Sequence, residues 1–186
     1  MSILNGNISI VIGSWGSYNE CNERALGSSW LDLSNFNSWE EIEEELTKQG
    51  FKLDGIDEEL FIQDIEGIPC SSTNWDYMNP QELFEILHNA DVLDNQHNYD
   101  LMCAFIEAKC FDDFIDRVNS KGSNWTDDLY FYKNWDWEDY GRNYYNDLDL
   151  NLPSNLEDFI DFEAYGKYLG DCYVTEIDDG LIEIID

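Results

Sequence analysis

Positive charge is what this sequence has least of. Nine lysines and arginines stand against forty-one aspartates and glutamates in 186 residues, a formal net charge of −32. That imbalance excludes partners: nucleic acid and acidic membranes repel such a chain, whereas a large basic groove attracts it. Proline is also scarce, at three, and no low-complexity tract is visible. No apolar run is long enough to span a bilayer, and Met1–Gly13 lacks the basic and apolar regions of a signal peptide, so a cytoplasmic protein is expected. Five cysteines (Cys21, Cys70, Cys103, Cys110 and Cys172) are an odd, scattered set without a Cys-x-x-Cys pair, and are expected to be reduced and mostly buried. Cys103 and Cys110, taken with His88 and His97, fit no usual zinc-ligand spacing, and no cofactor is implied.

What is present argues for a folded chain. Apolar residues make up 43% and aromatics 15% of the sequence, which is core enough for one to three small domains and too much for a disordered acidic tail. The charge is spread throughout. Residues 1–66 carry 14 acidic and 3 basic groups, residues 67–108 carry 7 and none, and residues 109–186 carry 20 and 6. Duplex DNA carries one charge per ~1.7 Å of axis, so the excess matches roughly 16 base pairs if laid along one face. A protein that presents the charge of DNA to a DNA-binding protein is the first reading.

Coarse patterning gives α+β: an elongated chain of three small domains, a β-sheet with an acidic helix over 1–66, a helical middle over 67–108 and a mixed α/β unit over 109–186. Asn7–Gly13, Ser28–Leu33 and Glu59–Asp64 are strand candidates, with Ser14–Gly27 a long loop. Ser38-Trp39-Glu40-Glu41 has the form of a capping box, opening a helix to about Gln49 with the apolar stripe Trp39, Ile42 and Leu46. Asn79-Pro80 starts a second helix, Asn98–Lys109 is a third and Phe111–Val118 a fourth. Asp128–Tyr132 reads as a strand and Asp136–Asn146 as a helix despite Gly141. Ser154–Glu157 reads as another capping box, with its helix running to about Leu169. Asp171–Ile177 and Leu181–Ile185, joined by Asp178-Asp179-Gly180, form a hairpin signal.

No motif carries catalysis. Among so many carboxylates, paired acids arise by chance. Asp147, Asp149 and Asn151 begin like a calcium loop, but Leu152 replaces the required glycine, Pro153 follows, and Asp158 replaces the bidentate glutamate. No phosphate-binding loop, nucleophile elbow or zinc-protease helix is found. The protein is therefore expected not to be an enzyme.

The ordered motifs resemble the ArdA antirestriction family. Ile10–Trp30 (IVIGSWGSYNECNERALGSSW) with Leu31-Asp32-Leu33 is similar to its opening, and Ile62-Gln63-Asp64-Ile65-Glu66 to its signature after the third strand. Tyr140-Gly141-Arg142-Asn143-Tyr144-Tyr145, Leu156–Leu169 (LEDFIDFEAYGKYL) and Gly180–Ile185 (GLIEII) resemble its closing third, while Gly67–Trp137 departs from it. The resemblance implies an elongated, usually dimeric DNA mimic, carried by plasmids and conjugative elements, that occupies the DNA-binding cleft of type I restriction–modification enzymes. Neither nucleic acid nor a membrane is an expected partner.

The carboxylates expected to mimic phosphates lie opposite apolar stripes: Glu40, Glu41, Glu44, Glu45, Asp112, Asp113, Asp116, Asp136, Glu138, Asp139, Glu157, Asp158 and Asp161. Plain solvation is the competing reading of each one. Phe159, Ile160, Phe162, Tyr165 and Tyr168 are expected in the core, or else at a dimer seam. For the whole chain, the alternatives are an immunity-type protein that blocks a basic nuclease toxin through one compact patch, or acidity suited to high salt.

Overall fold

A computed structural model describes residues 7–69, 73–148 and 154–185. The chain is α+β, as the pattern implies, with two three-stranded antiparallel sheets and the helices between and around them. In the first sheet, β1 (Ser9–Ser14) lies between β2 (Leu31–Asp32) and β3 (Leu60–Glu66). Ser9 faces Glu66, and the register slips at a bulge between Val11 and Ile12. The second sheet has the order β4 (Leu129–Lys133), β6 (Gly180–Ile184), β5 (Val174–Ile177). Here β5 and β6 make the expected hairpin, and Leu129 faces Ile184.

Local chemistry corrects several boundaries. The stretch expected as a loop after β1 contains α1 (Trp15–Glu20). Ser14 caps it by accepting from the Ser17 amide at 3.2 Å, and the Trp15 ring stacks on Phe61 at a centroid distance of 4.2 Å. The expected strand at Ser28–Leu33 shrinks to two residues. Ser28 folds back to satisfy β1, its amide donating to the Ile12 carbonyl and its hydroxyl accepting from the Ile12 amide. α2 (Trp39–Lys48) starts where expected, but Ser38 makes no bond to the helix backbone. Glu41 instead accepts from the Asn37 backbone and side-chain amides at 2.8 and 3.3 Å, so the capping box is replaced by a reach one residue further back.

In the middle, α3 (Pro80–Asn89), α4 (Gln96–Ala108) and α5 (Phe111–Lys121) pack Leu83, Phe84, Leu87, Leu101, Met102, Phe105, Phe111 and Phe114 into one buried cluster. That cluster also takes in Ile10 and Ile12 of the first sheet, with Ile8 just before it, and Ile182 and Ile184 of the second. Trp125 is fully buried and donates its indole N–H to the Ala90 carbonyl at 2.9 Å.

Two helices close the chain's last third. α6 (Trp137–Asp147) crosses α8 (Phe162–Gly170) at Gly141 and Gly166. A Cβ on Gly141 would come within 2.1 Å of the Phe162 carbonyl oxygen, and one on Gly166 within 2.1 Å of the Trp137 carbonyl oxygen. Gly141 is therefore not a weak point in a helix. It is the contact that lets the two backbones meet.

The single helix expected from Ser154 to Leu169 is interrupted. Its first turn is α7 (Ser154–Glu157), and α8 begins anew where Asp161 accepts from the Ala164 amide at 2.9 Å. The break dissolves the expected apolar stripe: Phe162 alone is buried, Ile160 and Tyr165 are half-buried, and Phe159 and Tyr168 are exposed. The cysteines correct the sequence reading too. Cys21 and Cys172 lie in exposed turns and Cys103 and Cys110 are only partly covered, all four being free thiols. Cys70 lies outside the described residues, as do residues 149–153 of the calcium-like stretch from Asp147 to Asp158.

Candidate functional site

Helical periodicity produces the first acidic face. Trp39, Ile42 and Leu46 are buried, which turns Glu40, Glu41 and Glu44 to solvent and leaves Glu45 half-exposed. Five glutamates fall within residues 40–45. At ~1.5 Å of helix per residue that is ~1.8 Å per charge, close to the ~1.7 Å of duplex DNA. The Glu40 carboxyl sits below its ordinary value because its own backbone amide and the Ser38 hydroxyl bond to it. Glu43, which the stripe argument passed over, accepts from the Trp39 indole N–H at 3.0 Å and is half-buried.

α5 repeats the arrangement. Phe111, Phe114 and Val118 are buried, and Asp112, Asp113 and Asp116 are exposed. Asp113 accepts from the Cys110 thiol at 3.2 Å while the Cys110 sulfur caps the helix start. On α6, Asp136 and Asp139 form a true capping box, each accepting from the other's backbone amide. Glu138 pairs with Arg142 at 2.7 Å. Glu157, Asp158 and Asp161 are exposed around the α7–α8 break.

The thirteen carboxylates thus sit on three helix faces and one helix junction, and they do different jobs. Asp136, Asp139 and Asp161 cap helices. Among the described residues, only Glu45 and Glu138 meet a cation, Lys48 and Arg142 respectively. Glu44, Asp112, Asp116, Glu157 and Asp158 point into water with no hydrogen-bond or ion-pair partner among those residues. Exposed acids beyond the thirteen follow from the same periodicity. Glu82 and Glu85 lie opposite Leu83 and Leu87 on α3.

Several of the few cations have partners elsewhere in the fold. Arg117 is 7% exposed, donates from Nε to the Trp125 carbonyl at 2.6 Å and lies 5.6 Å over the Phe105 ring. Arg24 donates to the Gln49 carbonyl, and Lys133 pairs with Asp100 at 2.9 Å. Arg24, Arg117 and Lys133 are thus engaged away from the acidic faces, where Lys48 and Arg142 are the cations that pair with the thirteen carboxylates among the described residues.

A family model described as Antirestriction protein (ArdA) matches residues 10–183. The chain belongs to the ArdA antirestriction family. No curated protein gives a significant match. The ArdA match runs from β1 to β6, so it takes in both sheets and all three acidic helix faces. Among the described residues of this ArdA chain, no helix is long and apolar enough to cross a membrane.

Proposed function

We propose that this ArdA protein inhibits type I restriction–modification enzymes by occupying their DNA-binding cleft in place of DNA. The observation that carries the reading is the acidic helix face, repeated on α2, α5 and α6, whose thirteen candidate carboxylates meet a cation among the described residues only at Glu45 and Glu138. The thirteen carboxylates act together as the phosphate-mimicking surface, and no catalytic step is involved. Division into units 1–66, 67–108 and 109–186, assembly as a homodimer and a cytoplasmic location belong to the same proposal. Long-range attraction to a basic cleft speeds association, and screening weakens it.

The test is displacement of labelled DNA from a purified type I enzyme at two salt concentrations. Displacement that weakens at the higher salt supports the proposal. No displacement from several type I enzymes by the folded protein would sink it and favour a single cognate basic nuclease as the partner.

A further inference from the structure

Glu183 is a glutamate on a strand that is buried at every position. It stands between Ile182 and Ile184 on β6, the central strand of the second sheet, and is 4% exposed. Oε2 accepts from the Tyr132 hydroxyl at 2.8 Å and from the Tyr140 hydroxyl at 3.3 Å. Burial, first of all, raises both tyrosines above their ordinary value, so they remain neutral donors. Oε1 makes no hydrogen bond among the described residues, yet no buried side-chain oxygen or nitrogen there lacks a partner. Oε1 is therefore not sealed in. Glu183 lines, with Tyr140, Tyr144, Leu169, Tyr173 and Ile185, a cavity of about 360 Å³, and this is the opening available to Oε1.

A carboxylate taken out of water needs a counter-charge, and two hydroxyl donors supply part of what a cation would. Among the described residues no lysine or arginine pairs with it. Three tyrosines beside the carboxylate suit an organic cation, which gains from ring faces and tolerates apolar walls. Hard metal ions ask for several oxygen ligands, and a single carboxylate oxygen does not meet that demand. The volume is at the small end of ligand cavities, enough for a guanidinium or ammonium group and its alkyl stem.

We propose that this cavity is a binding site for a guanidinium or primary alkylammonium group, held by Glu183 Oε1 and walled by Tyr140, Tyr144 and Tyr173. The site is separate from the acidic helix faces and does not depend on the restriction-enzyme reading. Its occupant is either a free small cation or an arginine or lysine side chain of a protein.

The full-length chain is titrated at fixed ionic strength with methylguanidinium, butylammonium and a capped Gly-Arg-Gly peptide, followed by amide NMR shifts. Saturable shifts with one common midpoint at Tyr140, Tyr144, Leu169, Tyr173 and Glu183 are expected. Glu183→Gln keeps an acceptor for the tyrosines and should weaken binding by about tenfold or more, because the charge-assisted bond is lost. Glu58→Gln, an exposed acid outside both the cavity and the thirteen carboxylates, should leave that midpoint unchanged. Saturation by the small cations without the peptide identifies a free ligand; saturation by the peptide as well identifies a side chain. Shifts that never saturate, or an unchanged midpoint in Glu183→Gln, would overturn the proposal. If that variant does not fold, Tyr173→Leu decides: the half-exposed ring can be removed, and weaker binding supports the site while equal binding refutes it.

Discussion

At the scale of single residues, burial of charge separates structure from surface. Asp57 is 1% exposed and ties the first sheet's loops together, accepting from the Ser17 hydroxyl and from the Lys52 amide at 2.8 Å. Burial alone would raise its carboxyl, but the bonds from Ser17, the Lys52 amide and Ser14, with the Lys52 charge, bring it below the ordinary value. A lowered carboxyl contributes stability that is present above the unfolded-chain value of ~3.9 and is lost as pH falls through the folded value. Asp57→Ala leaves buried donors unpaired and is expected to cost about 1–3 kcal/mol at neutral pH. Urea melts of both proteins should show that difference narrowing in acid. A difference that stays flat well below pH ~4 would mean that the charge is not what matters. The exposed acids behave differently: Glu44→Gln should leave stability within about 0.5 kcal/mol, since its side chain touches nothing that folding needs.

The elements show how much a sequence discloses and where disclosure stops. Helices with a clear apolar stripe and a polar opposite face, α2, α3 and α5, could be placed from periodicity alone. So could the Asp-Gly hairpin of β5 and β6. Local pattern is insufficient where a distant partner decides. Trp15 needs Phe61 to make α1 worth forming, and Ser28 needs Ile12 before it abandons the strand. The α7–α8 break turns on which of several acids caps a helix, and Asp161 does so in the middle of a stretch that reads as one continuous helix. The candidate surface was legible for the same reason as α2 and α5, because opposite-face logic is local. Glu183 was not, since an acid alternating with isoleucines looks solvent-facing until the sheet is seen to be covered on both faces. Gly141 gives the sharpest test at this scale. Gly141→Ala pushes a methyl into the Phe162 carbonyl oxygen and should cost about 1–3 kcal/mol or more by denaturant melt. A silent substitution would show that α6 and α8 do not need their close approach.

For the whole molecule, the net charge of −32 sets two responses to salt that run in opposite directions. Screening relieves repulsion within the folded chain, so added salt should raise its melting temperature. The five surface ion pairs among the described residues lose strength at the same time, but each contributes only about 0–1 kcal/mol. Binding to a basic cleft should weaken over the same salt range. A charge surface spread over α2, α5 and α6 also predicts redundancy. Any one neutralisation should scarcely change inhibition, whereas changing Glu40, Glu41, Glu44 and Glu45 to glutamine together should weaken it and flatten its salt dependence. A single residue whose neutralisation abolished inhibition would point to one hot spot instead.

The most direct measurement of the central claim is the apparent inhibition constant for a type I enzyme at a series of DNA concentrations. A protein that takes the place of DNA requires that constant to rise in proportion to DNA, with full activity recovered at saturating duplex. A constant that stays the same as DNA increases would mean that the protein acts from another site, and mimicry of DNA would be the wrong account of its charge.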